Sequence, residues 1–217
     1  MTRACIFDMD GVLIDSGAHH RSAWSALLEE LGVTPAQHEF WRLTIGRPAE
    51  EAVPLLLGRR VTGAEARRLA LRKRALYSGF AARGLQSVPG AQDFVEALVR
   101  DEVPRAVATS ASRSDVDTLL VDVGLRRYFD VVVTAEDVRF GKPDPQVYLE
   151  AARRIGEEPA ACVVFEDSLV GVQAARRAGM RAIGVTTAHT ADELRAVGAE
   201  ATIADFQGVE WNSVVQR

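Results

Sequence analysis

The sequence of 217 residues has two cysteines, few aromatic residues and no long apolar run. Cys5 and Cys162 lie inside short apolar stretches, which indicates buried free thiols and not a disulfide framework. No segment approaches the roughly 18 consecutive apolar residues that a membrane helix needs, and the first residues do not resemble a signal peptide. We therefore expect a cytoplasmic protein that has no membrane partner.

The chain also has no surplus of positive charge, since 26 Lys and Arg residues face 30 Asp and Glu residues, for a net charge of -4 at pH 7 and a sequence pI of about 5.6. A protein that binds nucleic acid normally carries a basic surplus. One cluster of cations stands out: Arg67, Arg68, Arg72, Lys73 and Arg74. No aromatic platform is interleaved with it, so we interpret it as a solvated helix face. We expect a monomer that does not bind nucleic acid.

Short apolar, β-rich runs recur along the chain and predict six strands. They are Ala4–Phe7, Arg105–Ala108, Val131–Val133, Cys162–Phe165, Ala182–Val185 and Ala201–Ile203. Amphipathic segments of helix length separate most of them, a pattern typical of parallel strands covered by helices. The sequence therefore predicts an α/β protein with a Rossmann-like parallel sheet.

About 70 residues between the first and second runs contain only helical patterns. The predicted helices are Ala18–Leu31, Pro35–Leu43, Pro48–Leu57 and Gly63–Ala81. A strand-free stretch of this length indicates a helical domain, residues 16–85, inserted into an α/β core domain made of residues 1–15 and 86–217. Proline and glycine near residues 89–90 favour a turn where the chain returns to the core.

Two carboxylates, Asp8 and Asp10, follow the first predicted strand, at the end where open α/β sheets bind ligands. Side chains two residues apart in an extended segment point the same way, so the two charges repel each other. A divalent cation, or a proton held on one of them, would relieve that repulsion. Phosphate transfer can use both devices, because an attacking carboxylate meets a negative phosphate and the leaving oxygen needs a proton.

Further polar residues follow the later strands. The Thr109 hydroxyl and the backbone N–H of Ser110 can bind a phosphoryl oxygen, and Lys142 can act as a fixed charge before a proline. Glu166 and Asp167 offer the oxygen ligands that Mg²⁺ prefers. Each group alone has an ordinary explanation as a turn, a helix cap or a loop lysine. Their combination at strand ends is what indicates a site.

This ordered set of residues resembles the four motifs of the haloacid dehalogenase superfamily, and the resemblance covers essentially the whole chain. It implies that Asp8 is a nucleophile that forms an aspartyl phosphate and that Asp10 is the general acid and base. It also implies that Thr109 and Lys142 bind the transferring phosphoryl group. The second aspartate argues against dehalogenase activity, because dehalogenases of the superfamily lack it.

The same resemblance implies a Mg²⁺ site. The Asp8 carboxylate, the Asp10 carbonyl and Asp167 would hold the ion, with Glu166 in the first or the second coordination shell. The helical insert is similar to the small helical cap of the phosphatase and β-phosphoglucomutase branch, in which the cap sets substrate specificity.

Three residues of the insert are candidates for the substrate pocket: His20, Gly46 and Arg47. The last two belong to a loop that reaches over the active site in related enzymes. The resemblance implies a lysine before this glycine in β-phosphoglucomutases, whereas this chain has Ile45, which favours hydrolysis. Arg47 close by could replace that lysine as a phosphate or carboxylate ligand. We expect a Mg²⁺-dependent phosphatase of a small phosphorylated metabolite, such as a sugar phosphate. The alternatives are a β-phosphoglucomutase-like mutase and a non-catalytic binding or regulatory module.

Overall fold

Six strands form one parallel sheet in the order β3-β2-β1-β4-β5-β6. They are β1 (Ala4–Phe7), β2 (Arg105–Ala108), β3 (Val131–Val133), β4 (Cys162–Glu166), β5 (Arg181–Val185) and β6 (Ala201–Ile203). The computed structural model describes residues 3–34, 40–82 and 84–215. The predicted Rossmann-like α/β fold is confirmed. The predicted strand bounds are off by one residue, at the end of β4 and at the start of β5.

Helices α1 to α9 are numbered here within the described residues. They are α1 (Gly17–Glu30), α2 (Ala49–Leu57), α3 (Gly63–Ala81), α4 (Ala91–Arg100), α5 (Arg113–Asp122), α6 (Gln146–Ile155), α7 (Leu169–Arg177), α8 (Ala191–Ala196) and α9 (Trp211–Val215). Ser168 caps α7 by accepting a hydrogen bond from Gly171 N. None of the described helices combines the length and apolar composition needed to cross a bilayer.

Alternate residues of the strands point to two separate apolar layers, because successive side chains of a strand face opposite sides of the sheet. Phe7 and Phe165 stack on one face, with their ring centroids 5.2 Å apart, beside residues of α4 and α5. Ile6 and Val164 lie on the other face beside α6 and α7. Both free cysteines are buried, as expected. Covering both faces leaves the strand ends as the place where polar groups can gather.

The segment from α1 to α3, residues 17–81, is called the helical segment below. Its helices bury a third apolar cluster, which includes Trp24, Leu27, Val53 and Leu69. The helix predicted over Pro35–Leu43 begins outside the described residues, and Phe40–Thr44 forms a short 3-10 helix. The other three predicted helices are present within one residue of their predicted bounds.

Candidate active site

A cavity of about 620 Å³ lies between the helical segment and the strand ends. Nine of the ten residues singled out from the sequence line it: Asp8, Asp10, His20, Gly46, Arg47, Thr109, Ser110, Lys142 and Asp167. Glu166, the tenth, is fully buried and is not part of the cavity wall. Strand order explains this gathering, because β1 lies between β2 and β4 and the three strands run parallel.

Lys142 is almost completely enclosed, since its side chain is only 1% exposed. Its Nζ donates to Asp8 Oδ1 and to Glu166 Oε1, and both distances are 2.7 Å. Burial alone lowers the pKa of a lysine, but the charges of Asp8 and Glu166 outweigh it and raise the pKa of Lys142 well above its usual value. The ammonium group is therefore a permanent positive charge beside Asp8.

Asp8, Glu166 and Asp167 bring their carboxylate oxygens within 4.8 Å of one another, and all three residues are buried. Burial raises the pKa of Asp8, the charge of Lys142 opposes this, and the neighbouring carboxylates add to it, so that the pKa stands at about 7. Burial and the neighbouring carboxylates raise the pKa of Asp167 well above its usual value. Lys142 supplies one positive charge against three acids. An all-oxygen set with surplus negative charge fits a hard divalent cation such as Mg²⁺.

Glu166 is the least available of these three acids. Its Oε1 accepts hydrogen bonds from Lys142 Nζ and, at 3.0 Å, from Tyr148 Oη, while its Oε2 accepts from Ser168 N at 2.6 Å. Three of the roughly four lone-pair sites of this carboxylate already accept hydrogen bonds, so little capacity is left for a cation. Its contacts therefore orient Lys142 and the start of α7.

The Asp10 carboxylate finds its partners outside that acidic cluster. Asp10 Oδ1 accepts a hydrogen bond from Ser16 Oγ at 2.6 Å and lies 3.1 Å from His20 Nε2. Burial raises the pKa of Asp10, but His20 and Ser16 outweigh that effect and lower it to about 2. Asp10 is thus ionised in this arrangement.

A lysine completes this chain of contacts, because Lys73 Nζ lies 2.6 Å from His20 Nδ1. An ammonium group can only donate, so Nδ1 of His20 accepts and Nε2 carries the proton that is donated to Asp10. Burial, followed by the charge of Lys73, lowers the pKa of His20 and favours its neutral form. The Tyr77 ring stacks on His20 with the centroids 4.2 Å apart, which fixes the plane of the imidazole.

The hydroxyls after β2 are engaged within the protein. Thr109 Oγ1 accepts a hydrogen bond from Ala111 N at 3.1 Å, and Ser110 Oγ donates to the carbonyl of Gly46 at 3.1 Å. Ser112 caps α5 by accepting from Asp115 N. The Ser110 side chain thus joins the core to the helical segment, and its backbone N–H remains the group proposed for phosphate.

The loop around Gly46 packs directly on the core. Gly46 has φ +73°, and a Cβ built on it would lie 2.2 Å from Ser168 Oγ. The neighbouring Pro48 approaches Gly141, where a built Cβ would lie 3.0 Å from the Pro48 ring. Two glycines thus permit the close approach that places Ile45 and Arg47 in the cavity wall.

Comparison with known proteins decides the family. The model of the haloacid dehalogenase-like hydrolases matches residues 2–179. The chain belongs to the haloacid dehalogenase-like hydrolase family. It is 34% identical to validoxylamine A 7'-phosphate phosphatase of Streptomyces hygroscopicus subsp. limoneus over 97% of each chain. It is also 34% identical to fructose-1-phosphate phosphatase YqaB of Escherichia coli (strain K12), over 83% of this chain and 94% of that one. A crystal structure of a hydrolase from Pseudomonas syringae superposes with a TM-score of 0.90 at 27% identity, covering 99% of each chain.

In this haloacid dehalogenase-like hydrolase, Lys73 corrects one interpretation made from the sequence. The sequence pattern predicts a solvated Lys73 on α3, yet this residue is only 8% exposed. Along α3 the buried residues are Ala66, Leu69, Lys73 and Tyr77, so the helical spacing places Lys73 on the inner face. That spacing could have identified it.

Two residues of the loop after β5 were also missed. Thr187 Oγ1 donates to the Gly11 carbonyl at 2.6 Å, and a ring nitrogen of His189 lies 2.9 Å from the Asp167 carbonyl. These contacts tie the loops after β1, β4 and β5 together under the cavity. No residue spacing in the sequence predicts these two contacts, because they depend on which strands are neighbours in the sheet.

Proposed function

We propose that this chain hydrolyses the phosphomonoester of a small phosphorylated metabolite, a sugar phosphate or a similar compound, through an aspartyl phosphate on Asp8. The family and its phosphatase relatives make the chain a phosphoric monoester hydrolase. One observation carries the covalent part of the proposal: the Asp8 carboxylate lies at the cavity wall beside a buried, permanently charged Lys142. This pairing suits a carboxylate that must meet an anionic phosphate.

The first half-reaction transfers the phosphoryl group to the protein. An Asp8 carboxylate oxygen forms a bond to phosphorus in line with the leaving oxygen, and the bond from phosphorus to that oxygen breaks. Lys142 and the backbone N–H of Ser110 stabilise the charge on the phosphoryl oxygens. Asp10 gives a proton to the departing alcohol, so it must first take up a proton and loosen its contacts with His20 and Ser16.

The second half-reaction uses Asp10 as a base. Asp10 takes a proton from water, the water oxygen forms a bond to phosphorus, and the bond between phosphorus and Asp8 breaks. The ionised state favoured by Ser16 and His20 suits this step, because a carboxylate that carries no proton can accept one. The Lys73 contact sets the tautomer of His20 that faces Asp10.

A Mg²⁺ ion fits the acidic cluster, and when bound it would neutralise charge on the phosphoryl oxygens and on Asp8. Asp8 and Asp167 are the side chains suited to hold it, together with the Asp10 carbonyl. Glu166 would not bind the ion but would position Lys142 and Ser168 through the hydrogen bonds that it accepts from them.

The helical segment is proposed to act as the cap, with the domain boundaries at residues 16–85. Its position over the strand ends would exclude water during the first half-reaction and admit it during the second. His20, Gly46 and Arg47 belong to it and would shape the space for the leaving group. A monomeric, cytoplasmic protein without nucleic-acid or membrane partners stays a prediction.

Turnover of an aryl phosphate and of a panel of sugar phosphates, with Mg²⁺ present, tests this proposal. Asp8→Asn should lower kcat by at least about a thousandfold, because the amide is a poor nucleophile. Asp192→Asn, whose side chain is 98% exposed, is the matched control and should keep full activity. Near-normal turnover by Asp8→Asn would exclude covalent catalysis by this residue.

The same panel separates the alternatives. A mutase would convert a sugar phosphate into its isomer when primed with a bisphosphate, with little release of inorganic phosphate. A non-catalytic module would release no phosphate from any compound. Ile45 at the cavity wall offers no charge for a second phosphate, which favours hydrolysis.

A further inference from the structure

Cap and core meet through an ion pair that the proposed reaction does not use. Arg74 of α3 donates from Nε to Asp115 Oδ1 of α5 at 2.8 Å, and its Nη2 also contacts that oxygen at 2.7 Å. The same Nη2 donates to Ser114 Oγ. We propose that Arg74 and Asp115 are positioning residues, which hold α3 against the start of α5 when the cap covers the site. This inference rests on the proposed function.

Asp115, the partner on the core side, is fixed by hydrogen bonds within the core. Its Oδ2 accepts a hydrogen bond from Ser112 Oγ at 2.7 Å, and its backbone N–H donates to the same hydroxyl. The aspartate therefore has a fixed place in the first turn of α5. That turn follows Thr109 and Ser110, the proposed phosphate-binding residues, by only a few positions.

Arg74 is tied to the chemistry on the cap side by its neighbour in the sequence. Lys73 contacts His20, and His20 contacts Asp10. A rigid helix that is fixed at Arg74 is also fixed one residue earlier, so the ion pair sets how far Lys73 stands from the core. Losing it would let the lysine and histidine drift from Asp10 without removing either group.

The strength of the contact suits a lid that must reopen. The side chains are partly exposed, 38% for Arg74 and 24% for Asp115, and exposed ion pairs contribute little to stability. A small bias is enough to shift an equilibrium between open and closed states, whereas a buried pair would hold the cap shut. The hydrogen bond from Ser110 Oγ to the Gly46 carbonyl is a second cap–core contact near the cavity. The Arg74–Asp115 ion pair and this hydrogen bond would therefore hold the closed cap together.

A matched control lies on the same helix. Arg72 pairs with Glu30 of α1, so this ion pair stays inside the helical segment and does not reach the core. The two arginines are two residues apart and both pairs are partly exposed. Arg72→Met and Arg74→Met therefore remove the same chemical group, from a contact within the cap in one case and from a cap–core contact at the cavity wall in the other.

The experiment is a double-mutant cycle of Arg74→Met and Asp115→Asn, measured as kcat and KM for the best sugar phosphate at low salt. We expect each single variant to lower kcat/KM by about five- to tenfold, with the double variant no worse than either single one. Arg72→Met should leave kcat/KM unchanged. High salt should lower the wild-type value toward that of Arg74→Met, because it screens an exposed pair.

Small-angle X-ray scattering gives a readout that does not depend on turnover. With Mg²⁺ and vanadate present, Arg74→Met should show a larger radius of gyration than Arg72→Met. Equal kcat/KM for these two variants, or losses that add in the double variant, would overturn the positioning role. Such a result would leave the proposed hydrolysis standing if Asp8→Asn is inactive, whereas an inactive wild type would remove the hydrolysis itself.

Discussion

Single residues decide the electrostatics of this site, and Lys142 is the centre of it. One ammonium group faces two carboxylates at 2.7 Å in a place that solvent barely reaches. Buried charges are tolerated only when they are paired and hydrogen-bonded. The contact with Lys142 therefore both permits the burial of the Asp8 carboxylate and fixes its position at the cavity wall.

Replacing Lys142 with methionine should destabilise the protein, because Asp8 and Glu166 would lose their counter-charge. We expect a loss of about 3–5 kcal/mol in the free energy of unfolding at pH 7, measured by urea denaturation. Adding Glu166→Gln to that variant should recover part of the loss, since the amide removes one buried charge. No recovery would mean that packing and not charge accounts for the effect.

Lys73 gives a pH dependence whose sign can be worked out. Burial lowers its pKa from 10.5 to about 8. Between those pH values the unfolded chain keeps a proton that the folded protein has released, so stability gained from this group rises with pH. The free energy of unfolding, taken as wild type minus Lys73→Met, should increase by up to about 3 kcal/mol from pH 8 to 10.5. A flat or falling difference would contradict a buried Lys73.

Among the elements, β4 and α7 show how closely the backbone must fit the site. Glu166 ends the strand, Ser168 caps the helix, and Gly171 in the first turn leaves room for the glutamate. A Cβ built on Gly171 would lie 1.6 Å from Glu166 Oε1. Gly171 is thus needed so that the Glu166 carboxylate can occupy the place from which it binds Lys142.

Gly171→Ala should therefore be destabilising although alanine favours helices. We expect a loss of about 1–3 kcal/mol from overpacking, together with reduced activity as Glu166 and Lys142 shift. Gly79→Ala is the control, because Gly79 lies inside α3 and a Cβ built on it meets no atom within 4 Å beyond its chain neighbours and the adjacent backbone of its own helix. That control should gain up to about 1 kcal/mol, and thermal unfolding compares the two variants directly.

In the molecule as a whole, two packed units enclose one acidic cavity. The protein has a net charge of -4, and its strand ends gather Asp8, Glu166 and Asp167 within a few ångströms. Lys142 offsets only part of that charge. The three carboxylates therefore repel one another in the folded protein, and a bound cation would reduce that repulsion. Cation binding should then increase the free energy of unfolding.

Magnesium should raise the Tm of the wild type in calorimetry, since a ligand that binds only the folded state stabilises it. At a concentration 100 times the Kd the gain would be about 2.7 kcal/mol. Asp167→Asn should be more stable than the metal-free wild type, because one repelling charge is gone, and should respond little to Mg²⁺. A Tm that ignores Mg²⁺ in the wild type would argue against a cation at this cluster.

Much of this arrangement could be predicted from local patterns. Apolar runs and helix signals predicted six strands and three helices of the helical segment almost to the residue, because each depends on spacing and end signals along the chain. The rule that ligands bind at strand ends indicated where Asp8, Thr109 and Asp167 would gather. The helix predicted from Pro35 is the exception, since its described end is a 3-10 turn.

Contacts between distant segments were decided only by the tertiary structure. The sequence by itself determined which residues carry charge and at which strand ends they lie. Packing decided that Lys73 is buried against His20, that both oxygens of Glu166 are occupied, and that Ser110 contacts Gly46. The physical reason is that pKa values and hydrogen bonds depend on neighbours in space, and these neighbours are set by the order of the strands and by the packing of the helical segment on the core.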